Sequence, residues 1–139
     1  MINGVGASST LEQRSRIMRA VKGRDTAPEF QVRRVVFGMG YRYRLYRKDL
    51  PSKPDLVFIG RRKVVFVHGC FWHGHSCRRG GRVPKRNQDY WIRKVARNRE
   101  RDKKAMRSLQ EIDWKAMVVW ECETKDTRRL AERLKRFLG

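Results

Sequence analysis

The chain has 139 residues, with 35 Lys or Arg against 14 Asp or Glu and a formal net charge of +21. Polyanions are the natural partners of such a surface, either nucleic acid or an anionic membrane. The length suits one domain and not two. Apolar content of 40%, with four Trp and six Phe, excludes a fully disordered chain, and no apolar run approaches the roughly 20 residues of a membrane span.

Residues 1–9 are small and polar and are expected to be a flexible N-terminus, leaving 10–139 as a single domain. Met1 to Gly6 lacks the basic-then-apolar pattern of a signal segment. Ser9-Thr10-Leu11-Glu12 reads as a capping box opening a basic helix over about 10–21. Thr26-Ala27-Pro28-Glu29 is a second capping box, with Pro in the first turn, and predicts a helix ending at Gly38 or Gly40. Tyr41 to Tyr46 alternates at period two, as a half-exposed strand does. Asp55 to Ile59 is the next predicted strand, and Gly60-Arg61-Arg62 turns into Lys63–Val67, apolar enough for burial on both faces. A Cys/His loop (68–77) and a basic Gly/Pro loop to about residue 87 follow. A long helix over about 88–111 precedes a strand at Trp114–Trp120, and Asp126 caps a last helix. This order describes an α/β fold with a mixed sheet flanked by helices.

On the long helix, Trp91, Val95, Ala105, Met106 and Leu109 share one face at 100° per residue. Asn98 and Asp102 fall at the centre of that face. An acid there is costly without a partner, and pairing with one of the many arginines is the more economical explanation.

All three histidines, His68, His73 and His75, lie within eight residues, beside Cys70 and Cys77. Three cysteines cannot form a complete internal disulfide set. Cys70, His75 and Cys77 instead offer zinc ligands, and Cys122 at the end of the last strand supplies the fourth. His73 is an alternative to His75. Buried thiols acting as small hydrophobes would not account for the histidines clustering with them. Phe71-Trp72 suits stacking on or wedging between bases, or covering a zinc site or sheet edge. Asp55, at a strand start near an imidazole and a basic surface, can hold Mg²⁺ against a phosphodiester; an Asp opening a strand after Pro is also common.

These residues resemble the very short patch repair (Vsr) endonuclease family over about residues 10–138. The marks are Met18-Arg19-Ala20, Arg24-Asp25-Thr26-Ala27-Pro28-Glu29, Pro54-Asp55, His68-Gly69-Cys70-Phe71-Trp72-His73, Asn98-Arg99-Glu100-Arg101-Asp102 and Trp120-Glu121-Cys122. The resemblance implies a restriction-endonuclease-like fold with one structural zinc. It implies a Mg²⁺-dependent enzyme that nicks one strand of double-stranded DNA, 5′ of the mispaired thymine in a T:G mismatch left by 5-methylcytosine deamination. By similarity, Asp55 bridges two Mg²⁺ ions with the Val67 carbonyl as a further ligand, and His73 is the general base. Glu29, His68 and Asp102 orient waters around the metal. Cys70, His75, Cys77 and Cys122 hold zinc. Phe71, Trp72 and Trp91 wedge at the mismatch from the major groove, Met18 enters the minor groove, and Asn98 lies close to the DNA backbone. A bacterial cytoplasmic monomer is implied, with its substrate in the nucleoid, no membrane partner, and mismatch-repair proteins as candidate partners.

Lys63–Val67 lacks the second acid and lysine usual in the wider nuclease superfamily, which favours an imidazole near neutral pKa as the base. Gly74 and Ser76 stand where the family often has extra histidines, which directs the zinc assignment to His75. The Glu29 carboxylate is claimed by both the helix cap and the active site. Two other functions fit the composition: a zinc-stabilised DNA-binding module without cleavage, and a related nuclease with another mismatch or sequence target. The acids Asp55, Glu29 and Asp102 argue against a pure binder, which gains nothing from acids facing phosphates.

Overall fold

A computed structural model describes residues 25–77 and 85–139. The expected helix over 10–21, Met18 and most of the basic loop after Cys77 lie outside the described residues. Helix α1 spans Ala27–Gly38. Strands β1 (Leu56–Phe58) and β2 (Lys63–His68) form an antiparallel pair, and β3 (Lys115–Trp120) lies parallel to β2. Helix α2 (Gln88–Glu111) crosses from β2 to β3, and α3 (Thr127–Leu138) closes the described chain. The sheet order is β1-β2-β3, so β2 is central and mixed in its pairing.

Strand alternation divides the apolar residues between two layers. Leu56, Phe58, Val65, Met117 and Val119 face Val32 and Val36 of α1 and Leu130, Leu134 and Leu138 of α3. Val57, Val64 and Phe66 face Ala105 and Leu109 of α2. Burial on both faces of β2 follows from its central place. Of the three predicted caps, the Ser9–Glu12 box lies outside the described residues and the other two form. Thr26 Oγ1 accepts from the Glu29 backbone N–H while the Glu29 carboxylate accepts from the Thr26 N–H. Asp126 accepts from the Arg129 N–H at the start of α3.

The continuous strand expected at Tyr41–Tyr46 is not formed. Only Arg44 pairs, exchanging backbone hydrogen bonds with Val57 at 2.8 and 2.9 Å. Its period-two pattern is nevertheless real: Tyr41, Tyr43 and Leu45 pack on the core while Arg42 and Arg44 are exposed. Extension stops at Tyr46, whose φ of +58° lies in the left-handed region and turns the chain away from β1.

Candidate active site and metal centre

Because β1 and β2 run antiparallel, the residue before β1 lies beside the end of β2. Asp55 therefore accepts a 2.6 Å hydrogen bond from the Val67 N–H through Oδ2. Helix α1 brings Glu29 to the same place, where it is only 4% exposed and within hydrogen-bonding reach of Asp55. Burial pushes the Asp55 carboxyl up to about 7; the Val67 N–H and Arg33 oppose this, and the nearby Glu29 charge reinforces it. Glu29 remains a cap, accepting from the Thr26 hydroxyl at 2.8 Å, and pairs with Arg33 one turn on at 3.5 Å. One carboxylate thus closes α1 and faces Asp55. A half-buried Asp55 that resists ionisation beside the buried Glu29 side chain fits a divalent cation, which would relieve the desolvation and like-charge repulsion acting on Asp55.

His68 ends β2 on the α2 side of the sheet, and His73 stacks on it with ring centroids 3.8 Å apart and planes 5° from parallel. Asp102 meets them from α2. Its Oδ2 lies 2.6 Å from His73 Nδ1 and 3.8 Å from His68 Nδ1. The expected arginine partner for Asp102 is replaced by imidazole, because the loop after β2 folds onto the centre of the α2 stripe. Among the described residues, buried His68 Nδ1 has no hydrogen-bond partner. Burial, and then the neighbouring His73, pull the His68 pKa down to about 4, with Asp102 opposing. His68 is neutral at physiological pH.

Three residues of the loop after β2 and one from beyond β3 gather past this pair. The ligand atoms of Cys70, His75, Cys77 and Cys122 all lie within 4.8 Å of one another. Cys122 Sγ is 3.6 Å from His75 Nδ1, and the Cys122 N–H points at Cys70 Sγ at 3.4 Å. A tetrahedral zinc site places its sulfurs about 3.8 Å apart, so the cluster is already near that size. Burial drives the Cys70 thiol up to about 12, and Cys122 is raised chiefly by burial too. A dication bound to the set would stabilise the thiolates that burial disfavours. His73 is turned away toward Asp102, so the geometry offers His75 as the nitrogen donor.

Phe71, Trp72 and Trp91 form one aromatic cluster with centroid separations of 5.0 to 5.6 Å. Trp72 is 8% exposed in this arrangement. The Asn98 side chain is half-buried, its Nδ2 donating to the Trp72 carbonyl at 2.7 Å.

Two contributors escape sequence reading. Trp120 stacks on His75 at 4.2 Å and presents an edge to His68 at 5.4 Å, joining the Cys/His cluster to the imidazole pair. Its position two residues before Cys122, at the end of a strand, was the available signal. Arg33 is 7% exposed and lies one helical turn from Glu29, the spacing at which opposite charges meet.

Paired carboxyls, an imidazole held by a carboxylate and a Cys/His cluster, all on a strongly basic α/β domain, suit a nuclease, and similarity to known proteins assigns that class. The family model for the DNA mismatch endonuclease Vsr matches residues 8–79. A type II nicking enzyme of Xanthomonas oryzae, V.XorIIP, is 48% identical over 127 residues, covering 91% of this chain and 93% of that protein. V.NmeAIP, a type II nicking enzyme of Neisseria meningitidis, is 44% identical over 93% of this chain and 91% of its own length. The DNA mismatch endonuclease Vsr of Escherichia coli is 39% identical over 86% of this chain and 76% of its own. The chain belongs to the Vsr family of DNA mismatch endonucleases.

Proposed function

We propose that this protein nicks one strand of duplex DNA 5′ of the mispaired thymine in a T:G mismatch, using Mg²⁺ at Asp55 and a structural zinc at Cys70, His75, Cys77 and Cys122. The observation that carries the reading is the pairing of His73 with Asp102 next to His68, one residue along β2 from Val67, whose N–H donates to Asp55. Relatives named as nicking enzymes support cleavage of a single strand.

Asp55 and the Val67 carbonyl would hold Mg²⁺, which when bound supplies positive charge against the scissile phosphate. Glu29 adds negative charge to that pocket and orients water around it. The Asp102 carboxylate fixes His73 with its proton on Nδ1, leaving Nε2 free to take a proton from the attacking water. Neutral His68, packed flat against His73, limits the tilt of that ring and is placed to orient water as well. Phe71, Trp72 and Trp91 form the aromatic surface that inserts at the mismatch from the major groove, where a T:G wobble unstacks more readily than a paired step. Met18 is assigned to the minor groove on the family resemblance alone. Residues 78–107 hold thirteen Lys or Arg and three acids, which supplies salt-sensitive affinity for phosphates of any sequence.

End-labelled duplexes carrying T:G, T:A or another mismatch test the reading directly. With Mg²⁺ the thymine strand of the T:G duplex is cut once, and EDTA abolishes the cut. Cleavage of T:G that persists unchanged in EDTA, or that ignores the mismatch, refutes it.

A further inference from the structure

The two activities assigned to this site, reading a mismatch and cutting a strand, fall on adjacent residues, Trp72 and His73. A single rigid peptide plane joins them. That plane is held on both sides: its carbonyl accepts from Asn98 Nδ2 at 2.7 Å, and its N–H donates to the Gly69 carbonyl at 3.2 Å. One turn further along α2, Asp102 holds the His73 ring at 2.6 Å. Asn98 and Asp102 are four residues apart, the spacing that places side chains on one helical face.

The loop also sits flush on this helix. Gly74 has φ of +63°, and a Cβ there would fall 2.8 Å from Val95 Cγ1 and 2.9 Å from Arg99 Cδ. Trp91, the third aromatic of the cluster, is on the same helix. Helix formation does not explain an Asn at this place. Asn is a weak helix former, and its value mid-helix lies in what its amide reaches.

We propose that Asn98 is a positioning residue that couples mismatch reading to cutting: by holding the Trp72–His73 peptide on α2, it makes the aromatic wedge and the general base move as one body. This rests on the roles proposed above for Trp72 and His73. Insertion of the wedge beside a mismatch then delivers His73 to the phosphodiester, and a paired step that resists insertion leaves the base out of register. Without Asn98 the wedge can insert while His73 lags.

The test compares Asn98→Ala and Asn98→Leu, both good helix formers, with wild type in steady-state nicking of the T:G duplex. Expected is a fall in kcat between about 10- and 100-fold, the usual result of misplacing a reacting group by about 1 Å. KM for the duplex and the salt dependence of binding stay unchanged. In a Trp72→Ala background the same substitution costs less than about threefold, since residues acting as one unit are not additive. Loss that appears in KM with a shallower salt slope would make Asn98 a phosphate contact and overturn the proposal. Full additivity with Trp72→Ala would overturn it too. Amide exchange supplies a readout independent of activity: the His73 N–H exchanges at least about tenfold faster in Asn98→Ala. Unchanged exchange refutes the proposal even if the wild-type chain cuts no mismatched duplex, an outcome that would itself refute only the function on which it rests.

Discussion

Replacing Asp55 with Asn removes a proposed metal ligand, yet it should make the metal-free protein more stable at neutral pH. The Asp55 carboxyl rises from an ordinary value of 3.8 to about 7 because the fold buries it beside Glu29. Below pH 4 the group is protonated in both folded and unfolded chains and contributes no difference. Between pH 4 and 7 the folded protein binds more protons than the unfolded one, so stability falls as pH rises. A shift of about three units corresponds to about 4 kcal/mol at pH 7. Screening at a half-buried site leaves about 2 kcal/mol of that. The amide of Asp55→Asn keeps an acceptor for the Val67 N–H and carries no charge to desolvate. Thermal melts of both chains in EDTA should coincide at pH 4 and separate by roughly 5–10 °C at pH 7.5, with Asp55→Asn the higher. His68, with its pKa lowered to about 4, imposes the opposite slope, stability rising with pH over about 4 to 6.5. It does so equally in both chains and cancels from the difference. Mg²⁺ should then raise the wild-type melting temperature and leave the variant unmoved. A gap that is constant from pH 4 to 7.5, or a variant less stable than wild type at pH 7.5, would refute the reasoning.

Other outcomes follow from the same geometry. His73→Ala should lower the T:G nicking rate by about 10²–10⁴-fold with duplex affinity retained, as loss of a general base does; a rate within about threefold of wild type would remove His73 from that role. Asp102→Asn, which can no longer accept from Nδ1–H as a carboxylate does, should lower the rate in the same direction while leaving the zinc content intact. Cys122→Ser should reduce bound zinc by metal analysis and lower the melting temperature, because it takes one of four donors from the proposed zinc site, whose binding energy would stabilise the fold; full zinc occupancy in this variant would contradict the ligand set. Gly74→Ala should destabilise the protein by about 1–3 kcal/mol in chemical denaturation, since a Cβ meets Val95 and Arg99 at a positive φ.

Local signals carried most of the fold. The Thr26–Glu29 capping box, the turn after Ile59 and the apolar run Val64–Val67 each act within a few residues, and the elements formed where those signals lay. Tyr41–Tyr46 shows where local pattern stops being sufficient. Its alternation sorts core from solvent correctly, but pairing needs a partner strand in register, and β1 offers only Val57 before Tyr46 turns away. The Cys/His cluster was legible from composition, because three histidines and two cysteines in one short segment have few other uses. Asp102 was visible only as an anomaly, an acid on an apolar face. Naming its partner required the loop after β2 to be seen folding back onto α2. The contact between Asn98 and the Trp72 carbonyl left no mark in the sequence, since a backbone acceptor has no side-chain identity to read.

The central claim is that the aromatic cluster and the Asp55–His73 chemistry together confine cutting to one phosphodiester beside a T:G pair. Single-turnover mapping of the nick on both strands of otherwise identical T:G and T:A duplexes, in Mg²⁺ and at fixed salt, tests it most directly. A single cut 5′ of the mispaired thymine, at least about 100-fold faster than any cut in the T:A duplex, is the predicted result. Equal rates on the two duplexes, or cuts in both strands, would contradict it.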